Sequence, residues 1–124
     1  PLYHAAAVFA CNYLVTLQDV ALECFQEAGI DEALGRELLA PILQGTIDNL
    51  KTLPPHNALT GPIARGDFQT VNTHLHALAD HSDSLAQLYR ALGLRTLSLS
   101  ERQQTASKDQ LNQLGSILKG IEYL

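Results

Sequence analysis

The run from Tyr3 to Ala28 constrains this chain more than any other stretch. It begins HAAAVFACNYLVTL, and its first half is apolar on nearly every side. Such a pattern fits a helix buried at the centre of a domain or an oligomer, not one lying on a surface. Placing residues about 100° apart puts Asn12, Thr16, Asp19, Glu23 and Gln26 on one polar stripe. Gly29 follows at the position where helices end in a left-handed turn. The alanine run Ala5–Ala7 would let a second helix approach closely, which favours a helix–helix seam.

The same periodicity continues downstream. Asp31 is placed to cap a second helix over Glu32–Leu53, with Glu32 in its first turn. Pro41 should kink or split that helix, and Gly45 offers bare backbone for a close approach. Leu53–Gly66, LPPHNALTGPIARG, reads as a long irregular loop because three prolines exclude a regular helix. Further helices are expected over Asp67–Ala79, Ser84–Leu99 and Ser107–Tyr123, with Asp80–Asp83 a turn and SERQQ at Ser100–Gln104 a polar break. No β-alternation interrupts the series. The reading is all-α, five or six helices packed around a long, apolar first helix, with residues 1–124 forming a single helical domain.

Composition narrows the function. Charged residues make up 17% and hydrophobic ones 46%, so more apolar surface than usual needs covering, and a homodimer is expected. The net charge of −5 carries no basic stripe, which argues against nucleic acid. Cys11 and Cys24 lie thirteen residues apart on one helix, about 20 Å, too far for a disulfide, so they read as two buried free thiols. His4, Asn12, Thr16 and Gln18 break the apolar run, and no basic leader with a cleavage site precedes it, so neither a membrane nor a signal peptide is expected. The reading is cytoplasmic. The chain starts at Pro1 and contains no Met; it reads as a piece of a longer protein whose missing part lies upstream.

Few residues could carry chemistry. Thr60, Gly61, Arg65 and Asp67 form a tight loop feeding a helix N-terminus, where backbone N–H groups favour an anion and Arg65 could clamp a carboxylate or phosphate. Equally, Arg65 could simply pair with Asp67. His4 and Asn12 face a similar side of the first helix; the positive end of the helix opposes protonation of His4. Asn12 is either a substrate contact or a structural hydrogen bond. Thr46 and Asn49 lie one turn apart and could line the same cleft, or could be an ordinary exposed face. His74 and His76 point about 200° apart, so no metal site is expected. No glycine-rich phosphate loop follows a strand, so the chain alone would hold no dinucleotide.

HAAAVFACNYLVTL, LLAPILQGTIDNL and ALTGPIARGD together resemble the helical C-terminal domain, catalogued as a domain of unknown function (DUF2520), of Rossmann-type oxidoreductases. These belong with 6-phosphogluconate dehydrogenase, ketopantoate reductase and pyrroline carboxylate reductase. The resemblance runs from Tyr3 to Leu92. It implies an upstream Rossmann domain binding NADP or NAD, a homodimer, and a small anionic carbonyl or imine substrate. On matching positions it makes His4 and Asn12 the catalytic candidates, and Thr46, Asn49, Thr60, Gly61, Arg65 and Asp67 the substrate-binding ones. Several members of that group use a Lys on this first helix, and here it has none; Lys51, Lys108 and Lys119 are the only lysines. That departure favours, as the alternative, a non-catalytic dimerisation or metabolite-sensing module.

Overall fold

The computed structural model describes residues 1–120, and every regular element among them is helical. The all-α reading holds. Seven helices follow in order: α1 Leu2–Glu27, α2 Glu32–Thr52, α3 Pro55–Ala58, α4 Pro62–Arg65, α5 Phe68–His81, α6 Asp83–Gln103 and α7 Lys108–Leu118. The two beyond the expected five are single turns inside the proline-rich loop. Each starts with a proline at its first position, where the missing N–H costs nothing and the fixed φ suits a helix.

The chain divides into two compact units, Pro1–Ile47 and the part from Asp48 onward. In the first, α1 ends where Gly29 adopts φ +90°. Gly29 N–H donates to Gln26 O and Ile30 N–H to Phe25 O, the paired bonds that satisfy the last carbonyls of a helix. Asp31 then accepts from Leu34 N–H at 2.9 Å and starts α2. The helix runs through Pro41 unbroken. The close approach falls at Gly35, not Gly45. A Cβ on Gly35 would sit 2.9 Å from Leu22 Cδ2 and 3.3 Å from Phe25 Cδ2, whereas one on Gly45 would meet nothing. Gly35 is the only buried residue of this unit.

Of the two settings expected for α1, the centre of a domain or of an oligomer, the first fails, and so does the expectation of two buried thiols. The helix has no buried residue, and Cys11 is exposed while only Cys24 is partly covered. Leu2, Tyr3, Phe9 and Val15 are each at least 70% exposed. Burial, with Glu23 alongside, raises the Cys24 thiol above its ordinary range. By length and composition α1 could also cross a membrane. Sequence periodicity identified a face that wants covering but could not say whether the same chain covers it.

The second unit holds the core. Ile63, Val71, Leu75, Leu97, Leu114 and Leu118 pack together from α4, α5, α6 and α7. Asp67, Ser82 and Ser107 cap α5, α6 and α7. Gln110 returns a bond to the Ser107 N–H at 2.9 Å, completing a reciprocal capping box. The turn expected over Asp80–Asp83 shrinks to Ser82 alone.

The SERQQ break does not occur, because α6 continues to Gln103. Two of its polar residues turn inward to backbone carbonyls: Ser100 Oγ donates to Ile63 O and Gln103 Nε2 to Leu59 O, while Glu101, Arg102 and Gln104 stay exposed. Buried carbonyls need donors, and these side chains extend the helix to supply them. The last helix stops at Leu118, ahead of Gly120 at φ +79°. The rest of its expected span, from Ile121 to Tyr123, lies outside the described residues.

Candidate functional site

The loop Thr60–Asp67 folds into a tight, glycine-bracketed turn. Gly61 sits at φ 91°, ψ −173°, and Gly66 at φ 74°, ψ 24°. The first of these conformations is open essentially only to glycine. Between them α4 is closed by Arg65 N–H to Gly61 O at 3.2 Å, Gly66 N–H to Ile63 O at 3.3 Å and Asp67 N–H to Pro62 O at 2.8 Å. Ile63 and Ala64 point into the core, while Arg65 is exposed. The turn therefore buries its middle and presents its cation.

Asp67 is not paired with Arg65. Its Oδ1 accepts from Thr70 N–H at 3.1 Å and its Oδ2 from Thr70 Oγ1 at 2.7 Å. These two bonds, with smaller help from Arg65 and His74, hold the carboxyl below its ordinary range. The start of α5 is thus occupied by the chain's own carboxylate. The expected anion cradle of free backbone N–H groups is closed there, and any anion at this loop must rely on Arg65.

Thr60 lines a small pocket of about 210 Å³ with Pro62, Ile63, Tyr89, Leu92 and Thr96. Tyr89 was not singled out from sequence. Its hydroxyl lies 2.9 Å from His74 Nδ1, with the rings edge to face. Burial pushes the Tyr89 hydroxyl above its ordinary range, so it stays protonated at neutral pH. Tyr89 on α6 and His74 on α5 thus share one hydrogen bond across the helix pair.

The other candidates stand elsewhere. His4 and Asn12 are exposed on α1 and Thr46 is exposed on α2, all in the first unit. Thr46 Oγ1 donates to Ile42 O at 3.1 Å within its own helix. Asn49, exposed, belongs to the second unit but to the end of α2, and its carbonyl accepts from Thr52. The structure brings together Thr60, Gly61, Arg65 and Asp67 on one loop. Asn12 has a distinct setting: it closes a π-helical segment, Val8–Asn12, after which Tyr13 N–H reaches back to Val8 O. Such wide turns recur at functional positions in helices. Sequence periodicity at 100° per residue could not reveal it.

Among the described residues the chain is all-helical, with Arg65 exposed on a glycine-bracketed turn. The chain belongs to the family described as domain of unknown function DUF2520, whose profile matches residues 1–96, from the start of α1 into α6. No curated protein and no solved structure matches it.

Proposed function

We propose that the chain is the substrate-side and dimerisation domain of an NAD(P)-dependent oxidoreductase acting on a small anionic carbonyl or imine compound. The observation that carries this reading is the rigid α4 turn, which buries Ile63 and Ala64 and exposes Arg65. A guanidinium fixed on a stiff turn is suited to clamp a carboxylate or phosphate through paired N–H donors. In this reading Arg65 binds the anionic group, Thr60 and Gly61 shape the wall beside it, and Asp67 holds the turn by capping α5. For the first unit, taken by itself, the family resemblance keeps His4 and Asn12, the latter at the π-helical segment, as catalytic candidates and Thr46 as a substrate-binding one, with Asn49 just beyond it on α2. NADP or NAD, bound by an upstream Rossmann domain, would supply the hydride; none is held by this chain alone.

The uncovered face of α1 supports the dimer half of the proposal. Phe9 and Tyr13 stack edge to face at 5.2 Å on that face. A second copy of the same helix is a better fit than a lipid core, because Asp19, Glu23 and Glu27 charge its C-terminal half. The test is equilibrium binding of NADPH and NADH to the full-length protein. One nucleotide per chain is expected, and failure of both to bind would remove the oxidoreductase reading in favour of a non-catalytic dimerisation or metabolite-sensing module.

A further inference from the structure

We propose that the cleft between α5, α6 and α7 binds a small amphipathic anion, a carboxylate or phosphate carried on an apolar body, with Arg90 holding the anionic group. The cleft measures about 1000 Å³, at the upper end of the range of roughly 300–1,000 Å³ for small-molecule sites. It shares no residue with the pocket beside Thr60.

Its lining divides into two chemistries. Phe68, Leu75 and Ile117 give it an apolar floor, with Leu75 and Ile117 continuous with the core. Gln69, Asn72 and Gln113 supply amides at the rim. Among the described lining residues Arg90 is the one permanent charge, and no carboxylate lines the cleft. That is a local reversal in a chain with thirteen acidic and eight basic residues. A partly buried apolar floor with a few placed polar groups and one cation selects a ligand with an apolar body and a negative head.

Arg90 is also held in place before any ligand arrives. Its Nη1 donates to Ile117 O at 2.6 Å, satisfying one of the last carbonyls of α7. A Cβ on Gly120 would lie 3.5 Å from that same Nη1, so the guanidinium plane rests beside bare backbone. The carbonyl uses one of the five N–H donors a guanidinium carries. A cation with its rotamer already set loses less entropy on binding than a free surface arginine.

The experiment titrates the ¹⁵N-labelled chain with octanoate, with octyl phosphate, and with 1-octanol as an uncharged control, following backbone amide shifts. Saturable shifts confined to α5, to α6 around Arg90 and to the end of α7 are expected, with the better anion binding at least tenfold more tightly than 1-octanol. The tighter of the two anions identifies the head group. Arg90→Gln should remove that preference. Because Arg90 also caps α7, Asn72→Asp provides a second variant: it places a carboxylate on an exposed rim position, so the fold should persist while anion affinity falls at least tenfold. Equal binding of 1-octanol and both anions, undiminished anion binding by Asn72→Asp, or shifts mapping instead to α1 would each overturn the proposal.

Discussion

Ser100 Oγ donates a hydrogen bond to Ile63 O across 2.9 Å, joining α6 to the α4 turn at a point where Ser100 is fully buried. This bond, with Gln103 to Leu59, ties the Arg65 loop to the longest helix of the second unit. Ser100→Ala would leave a buried carbonyl without its donor, at a cost of about 1–3 kcal/mol. Urea denaturation should show that loss, and hydrogen exchange should show faster opening of the amides of Arg65 and Gly66. Unchanged stability would mean that water replaces the hydroxyl without cost.

Two glycines should respond in opposite directions. A Cβ on Gly93 would lie 2.5 Å from Leu118 Cδ2, and Leu118 is 1% exposed, so neither can yield. Gly93→Ala should destabilise by about 1–3 kcal/mol through overpacking. At Gly45 nothing lies within 4 Å. Gly45→Ala should therefore stabilise α2 by roughly 0.5–1 kcal/mol, the usual gain from replacing glycine inside a helix. Midpoints of chemical denaturation for the two variants test the opposite signs.

Asp67 makes the fold acid-sensitive. Its carboxyl is held below the ordinary range, chiefly by the Thr70 hydroxyl and N–H. A depressed folded pKa contributes stability that is present above the ordinary carboxylate pKa and lost as pH falls through the folded value. The contribution should therefore be intact at neutral pH and disappear in strong acid, below about pH 4. Asp67→Ala should lower the melting temperature at pH 7 and flatten its decline with acid. Parallel pH curves for the two proteins would show that the cap does not govern the acid limb.

The apolar face of α1 should be a dimer seam. Phe9 is 70% and Tyr13 48% exposed, so glutamate at either position need not disturb the fold of a single chain. Light scattering should give twice the chain mass for the wild type and the single-chain mass for Phe9→Glu/Tyr13→Glu, with helical circular dichroism retained. A wild-type chain that is monomeric at micromolar concentration would contradict the dimer, and one that partitions into lipid vesicles would point to a membrane role for α1.

Local signals were legible in the sequence. Gly29, Asp31 and Ser107 announce helix ends and starts because the bonds they make reach only three to five residues along the chain. Tertiary assignments were not legible. Ser100 and Gln103 read as a polar break, since a serine that feeds a distant carbonyl looks like one that faces water. The α1 stripe announced a need for burial without naming the partner. Thr60, Gly61, Arg65 and Asp67 were found together because they are neighbours in sequence, though the role of Asp67 as a cap against Thr70 depended on seeing both oxygens engaged. The Arg90 cleft gave no signal at all, because its lining comes from three helices and its arginine is one of several scattered bases.

The measurement that bears most directly on the proposed function is steady-state kinetics of the full-length protein with Arg65→Ala, using NADPH or NADH and a panel of 2-oxo acids and cyclic imino acids. If Arg65 clamps the anionic group, KM for the preferred substrate rises tenfold or more, while kcat changes far less, since the lost contact acts on substrate binding. Unchanged KM in an active, folded variant would contradict the account and take the α4 turn out of the substrate site.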